Sequence, residues 1–161
     1  MNAYRTLVVC LFGTFALTVA AAGARGQSTE PPATDPAALA ERCIEHMTAV
    51  ANRAVEHIEA HGENASARVA ELVEAGEFRK AVAVARAASQ HVKLDAYRAG
   101  HKITKPAYRC IKSLLRLGEP ELAAEVEAAA KEQVDRVKGA RRIALEAIRD
   151  ALPDNESGVV E

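Results

Sequence analysis

The chain has 161 residues, of which 49% are apolar and 27% charged, as expected for a globular protein with one domain and accessory segments. Its formal net charge of −1 argues against nucleic acid as the main partner. Aromatic residues make up 4%, which leaves few side chains for an aromatic-lined pocket and predicts a core of Ala, Val, Leu and Ile.

The first 24 residues have the pattern of a secretory signal peptide. Arg5 supplies a basic start, residues 7–22 are uncharged and mostly apolar, and Ala22-Gly23-Ala24 fits a cleavage site of small residues. An uncleaved membrane anchor is the alternative, but the apolar run is shorter than the roughly 20 residues that a spanning helix needs. We therefore expect removal of residues 1–24, export to a periplasm or outside the cell, and no stable membrane span afterwards.

The segments that flank the predicted domain are polar. Residues 25–35 are predicted to be a flexible linker, because Pro31 and Pro32 favour extended backbone and no apolar period accompanies them. Residues 153–161 are predicted to be a polar tail that begins at a helix-stopping Pro. Residues 36–152 remain as the folded domain.

We predict an all-α domain of about five helices, because apolar side chains recur at three- and four-residue intervals and no strand pattern is present. The predicted helix ends are Gly62, Gly76, Gly100, Gly118 and Pro153. Asp35, Asn64 and Thr104 are the predicted N-caps, since their side-chain oxygens can accept from free helix amides. Short loops predict antiparallel neighbours, and Gly139 could divide the last helix.

Two stretches that lie 42 residues apart, residues 72–81 and 114–123, follow the same pattern. Each contains a helix end, a Gly-Glu turn at Gly76 or Gly118, and a new helix with Ala five residues after the Gly. The match continues in register along the second helix. We interpret the two stretches as copies of one helical hairpin.

The motif Gly76-Glu77-Phe78-x-x-Ala81, with Ala88, resembles the turn and second helix of the tetratricopeptide repeat. Gly118-Glu119-Pro120-x-x-Ala123, with Ala130, matches it less closely because Pro replaces the aromatic residue. The resemblance covers residues 72–92 and 114–134, at a spacing of 42 residues where the family uses 34. A plain five-helix bundle is the alternative. The resemblance implies a protein or peptide partner held on a concave helical face, and nothing catalytic.

Removal of the signal peptide leaves two cysteines, Cys43 and Cys110. An even pair in an oxidising compartment indicates one disulfide. Each cysteine begins a similar apolar step along its helix, which places both beside buried stripes. Two buried free thiols are the alternative.

His46, His57 and His61 are the metal-ligand candidates, because His57 and His61 lie one helical turn apart and His46 lies three turns earlier on the same side. Arg53 lies on the same flank and opposes a second cation there. Glu56 falls on the far side and supplies no third ligand. We interpret the three histidines as a solvated border, and we expect no bound metal or cofactor.

A basic stripe is predicted along one helical face, formed by Lys102, Lys105, Arg109, Lys112 and Arg116. It could hold an anionic partner such as an acidic peptide, a polysaccharide or a lipid headgroup. The alternative is a solvated face that pairs with the acidic residues Glu119, Glu121, Glu125 and Glu127 on the next helix.

The sequence contains no nucleophile elbow, metalloprotease motif, phosphate-binding Gly loop or paired-cysteine motif, so we expect no enzymatic activity. We predict an exported helical module for protein–protein or peptide interaction. The alternatives are a small ligand- or metal-binding helical protein of the cell envelope, and a homo-oligomer that assembles through its C-terminal helix.

Overall fold

The computed structural model describes residues 35–153, and within this range the chain forms three long helices. These are α1 (Pro36–Glu74), α2 (Phe78–Arg116) and α3 (Pro120–Asp150). The predicted all-α class is confirmed, whereas the prediction of about five helices is wrong. Residues 1–34 and 154–161, which include the predicted signal peptide and most of the linker and tail, lie outside the described range.

The start of α1 is as predicted. The carboxylate of Asp35 accepts a hydrogen bond from the amide of Ala37 over 3.1 Å, and Pro36 occupies the first helical position. A proline fits there because its missing N–H would have had no partner in the helix. In the described part of the chain, no helix is long and apolar enough to cross a membrane.

The turn between α1 and α2 closes around Gly76. The amide of Glu77 donates to the carbonyl of Leu72 over 2.8 Å, and the amide of Gly76 donates to Val73 over 2.9 Å. These two bonds form a Schellman motif, which satisfies carbonyls that the helix end leaves free. Gly76 has a φ of +73°, in the left-handed region that glycine adopts without strain. The predicted turn at this position is confirmed.

The turn between α2 and α3 repeats the same bonding around Gly118. Glu119 donates to Leu114 over 3.0 Å, Gly118 donates to Leu115 over 3.2 Å, and the φ of Gly118 is +82°. Each turn reverses the chain, so each helix runs antiparallel to its neighbour in sequence. The duplicated corners are thus real, while the resemblance to the tetratricopeptide repeat stays a prediction.

Gly62 and Gly100 do not end helices, contrary to the sequence prediction. Among the described glycines only Gly76 and Gly118 have a positive φ, so Gly62 and Gly100 continue the helices in which they lie. An interior glycine costs about 1 kcal/mol relative to Ala. Tertiary packing of a long amphipathic face outweighs that cost, because packing rather than propensity supplies most helix stability. The same reasoning applies to Gly139, through which α3 is continuous.

The predicted N-caps Asn64 and Thr104 also lie inside helices. The hydroxyl of Thr104 donates to the carbonyl of Gly100 over 2.9 Å, a bond made within α2 rather than at its start. Pro106 lies in the interior of α2 as well, where its missing N–H leaves the carbonyl of Lys102 without its usual helical donor. Asn and Thr are common as N-caps and Pro is common in the first turn of a helix, which explains the mistaken prediction of helix starts here.

All three pairs of helices contact one another around a core rich in alanine. Thirteen of the 25 buried apolar residues are alanines. The largest fully buried side chains include Met47, Ile58, Ile103, Leu114 and Ile148. Small side chains let the helix axes come close, and the few large ones fill the space between alanine layers.

Gly62 of α1 lies directly against Ala144 of α3. A Cβ placed on Gly62 would lie 2.6 Å from the Cβ and 2.9 Å from the Cα of Ala144. Real Cβ atoms do not approach another atom that closely, so only glycine permits this spacing. Gly62 is buried, and its lack of a side chain permits the close approach of the two parallel helices.

Replacement of Gly62 by Ala should lower the free energy of unfolding by roughly 1–2 kcal/mol, because the cost of overpacking exceeds the gain in helix propensity. Urea unfolding followed by circular dichroism measures the change. Gly139→Ala is the matched control, since it is also inside a helix but has nothing within 4 Å of the added Cβ. It should raise the free energy of unfolding by up to about 1 kcal/mol. Equal effects of the two substitutions would contradict the close approach.

Cys43 and Cys110 join α1 to α2, and their Cα atoms are 6.6 Å apart, which is within disulfide range. Cys110 is buried and Cys43 is half-buried. The predicted pairing of these two cysteines is confirmed. Their separation of 67 residues in sequence means that the bond closes a loop spanning both helices.

Reduction of this disulfide should lower the free energy of unfolding by about 4 kcal/mol, because the unfolded chain regains the entropy of a long open loop. Urea unfolding with and without dithiothreitol measures the difference. The double variant Cys43→Ala, Cys110→Ala should have the same free energy of unfolding with and without dithiothreitol. Two alkylated thiols at these positions in the non-reduced protein would contradict the bond.

Candidate functional site

The charge of α2 is the most uneven feature of the described surface. α2 carries ten Lys and Arg residues and a single acidic residue, Asp95. By contrast, α1 carries seven acidic and three basic residues, and α3 carries seven acidic and six basic residues. The chain is close to neutral overall, so this excess is a local property of one helix.

The predicted basic stripe lies on the exposed side of α2. All five of its side chains are exposed: Lys102, Lys105, Arg109, Lys112 and Arg116. None of the five forms an ion pair or a side-chain hydrogen bond with any residue in the described range. The stripe is therefore a row of like charges with no partner in residues 35–153.

The predicted pairing of this stripe with α3 does not occur between the described residues. No ion pair joins α2 to the acidic residues Glu119, Glu121, Glu125 and Glu127. The stripe borders α1 instead, because Lys102 lines a groove with Val50 and His57 of that helix. The part of α1 that lines this groove is basic or apolar, and Asp95 of α2 is the acidic residue of the groove.

Exposed apolar side chains accompany the basic stripe. Tyr97 is 64% exposed and Tyr108 is 67% exposed, and both lie on α2. Leu115, which lies about two turns after Tyr108 on the same helix, is also exposed. The hydroxyl of Tyr97 lies 2.8 Å from Nε2 of His101, which stacks edge-on against the phenol ring. The exposed side of α2 therefore combines positive charge with apolar rings.

A groove of about 510 Å³ between α2 and α3 extends the positive surface. Its basic lining residues are Lys93, Lys138, Arg141, Arg142 and Arg149. Some of this charge is compensated locally, since Lys138 pairs with Asp135 and Arg149 pairs with Glu146. Arg141 and Arg142 form no ion pair in the described part of the chain.

The histidine cluster lies along the same seam between α2 and α1, where His57 lines the groove that Lys102 also lines. Nδ1 of His57 is 3.4 Å from a carboxylate oxygen of Asp95. The rings of His57 and His61 have centroids 6.3 Å apart, and those of His61 and His91 are 5.7 Å apart. His46 is separate from this group and lines a shallow cavity with Lys105.

Sequence reasoning missed His91 and Asp95 as members of this cluster. Their positions in the sequence could have revealed them. His57 and Asp95 are equally far in sequence from the turn at Gly76, and so are His61 and His91. That relation holds only when α1 continues through Gly62, and the predicted break there hid it. No group of three or more His, Cys, Asp or Glu side chains among residues 35–153 is already arranged around a metal position.

Comparisons of the chain with protein-family models, with curated proteins and with solved structures find no match.

Proposed function

We propose that the chain is a non-catalytic interaction module that binds an acidic segment of a protein partner along the exposed face of α2. The observation that carries the proposal is the charge imbalance of this helix, ten basic residues against one acidic residue. A concentrated positive surface attracts and orients a negatively charged partner.

Stability of the isolated chain does not account for the basic stripe. Like charges at i and i+4 destabilise a helix by about 0.2–0.5 kcal/mol per pair, and Lys105–Arg109 and Lys112–Arg116 are such pairs. An exposed ion pair would relieve this repulsion, but the described residues supply none. An acidic partner would relieve it on binding.

The exposed tyrosines favour a protein over a simple anion. Tyrosine is enriched among the residues that contribute most to protein interfaces, because its ring buries a large area while its hydroxyl keeps a polar contact. Tyr97 and Tyr108 lie three turns apart on α2. A partner segment with both acidic and apolar side chains would match this surface.

The resemblance of the two hairpin turns to the tetratricopeptide repeat supports the same class of function. Export remains part of the proposal, and the bonded pair Cys43 and Cys110 supports it because disulfides persist in oxidising compartments. Assembly through the C-terminal helix is less favoured. In residues 126–148 only Ile143 is a large apolar side chain with an exposed surface.

Reversal of three charges, Lys105→Glu, Arg109→Glu and Lys112→Glu, should weaken binding of a fluorescein-labelled peptide rich in Glu and Phe by at least about tenfold. Three contacts of roughly 0.5 kcal/mol each become repulsive, and 1.4 kcal/mol corresponds to a factor of ten. Fluorescence anisotropy at low and physiological salt measures the affinity. Added salt should weaken binding to the unaltered chain.

A matched control carries the same change in net charge away from α2: Arg42→Glu, Arg68→Glu and Lys131→Glu. All three positions are exposed, so both variants should keep the circular dichroism of the unaltered chain. The control should retain peptide binding. An equal loss in both variants, or no loss in either, would contradict binding at the face of α2.

A further inference from the structure

We propose that His57, His61, His91 and Asp95 form a binding site for a divalent transition metal such as Zn²⁺. The site lies on the seam between α1 and α2, and it is independent of the proposed acidic partner. Each helix contributes two potential ligands one turn apart, His57 and His61 from α1 and His91 and Asp95 from α2. Imidazole nitrogens and carboxylate oxygens are both ligands that Zn²⁺ accepts.

The antiparallel packing of α1 and α2 puts these pairs opposite each other. His57 faces Asp95 and His61 faces His91, as the ion-pair and ring distances show. The four side chains therefore form two facing pairs. The two residues on each helix are one turn apart, and each faces one residue of the other helix. Four ligands from two facing helices can surround one tetrahedral ion.

The observed separations are close to those of a zinc shell. Two donors at about 2.0–2.1 Å from a tetrahedral ion lie roughly 3.3 Å apart. Nδ1 of His57 and Oδ2 of Asp95 are 3.4 Å apart. Two imidazoles on one zinc have ring centroids about 5 Å apart. The rings of His61 and His91 are 5.7 Å apart, and those of His57 and His61 are 6.3 Å apart.

Small rotations of the side chains would complete the site. The described residues hold no ready-made group of three ligands, so the four donors must converge when the ion binds. His57 is 67% exposed in its side chain, and neither His61 nor His91 has a hydrogen-bond partner in the described range. Rotation of the His61 and His91 rings would therefore break no hydrogen bond within the described residues.

Three cations approach this cluster from one end. Arg53 of α1, and Arg98 and Lys102 of α2, line the same groove as His57 and Asp95, and all three would repel a metal ion. Neither His61 nor His91 lines that groove. Metal entry is therefore favoured from the end of His61 and His91, where the two unpaired imidazoles lie. Acidification should weaken binding, because an imidazole must lose its proton to become a ligand.

Isothermal titration of the full-length chain with zinc chloride in chelator-treated buffer tests the site. We expect one zinc ion per chain and an unfolding midpoint several degrees higher with zinc present, since a ligand that binds only the folded state stabilises it. The double variant His61→Ala, His91→Ala should abolish both effects. The single change Asp95→Asn should reduce the affinity.

The double variant His46→Ala, His101→Ala is the matched control, because it removes the same number of histidines from outside the cluster. It should bind zinc as the unaltered chain does. Absence of heat with the unaltered chain would overturn the proposal. Equal losses in the two double variants would also overturn it, because they would show scattered binding to surface histidines. Circular dichroism of each variant verifies that the helices are intact.

Discussion

The close approach of α1 to α3 at Gly62 and Ala144 is the tightest steric constraint found at a glycine of the described bundle. These two helices are not neighbours in sequence, and their packing turns two hairpins into a closed three-helix arrangement. A side chain on Gly62 would lie 2.6 Å from the Cβ of Ala144, so the contact depends on the absence of a Cβ. The buried alanines along the rest of the bundle also permit short distances between the helix axes, because their side chains are small.

Continuity of α1 through Gly62 has consequences for the surface. An unbroken α1 runs alongside the full length of α2, which places His57 opposite Asp95 and His61 opposite His91. It also places the disulfide partner Cys43 beside Cys110. Close packing of alanines leaves long charged side chains on the outside. There the five residues of the basic stripe on α2 form no ion pair with any described residue.

The sequence alone predicted the two turns and the cysteine pair correctly, but it did not predict the number of helices. The turns at Gly76 and Gly118 were predictable because Gly-Glu follows a helical apolar pattern in both copies. Gly62 has a similar sequence setting, but its role is decided by Ala144, more than eighty residues away. The pairing of Cys43 and Cys110 was predictable from an even cysteine count, whereas the histidine cluster required the register of two complete helices.

Nuclear Overhauser contacts in a ¹³C-labelled sample would test this account most directly, because they measure whether Gly62 touches α3. The account predicts a cross-peak between the α protons of Gly62 and the methyl group of Ala144, together with helical chemical shifts at Gly62 and Gly100. Random-coil shifts at both glycines and no cross-peak to Ala144 would contradict it.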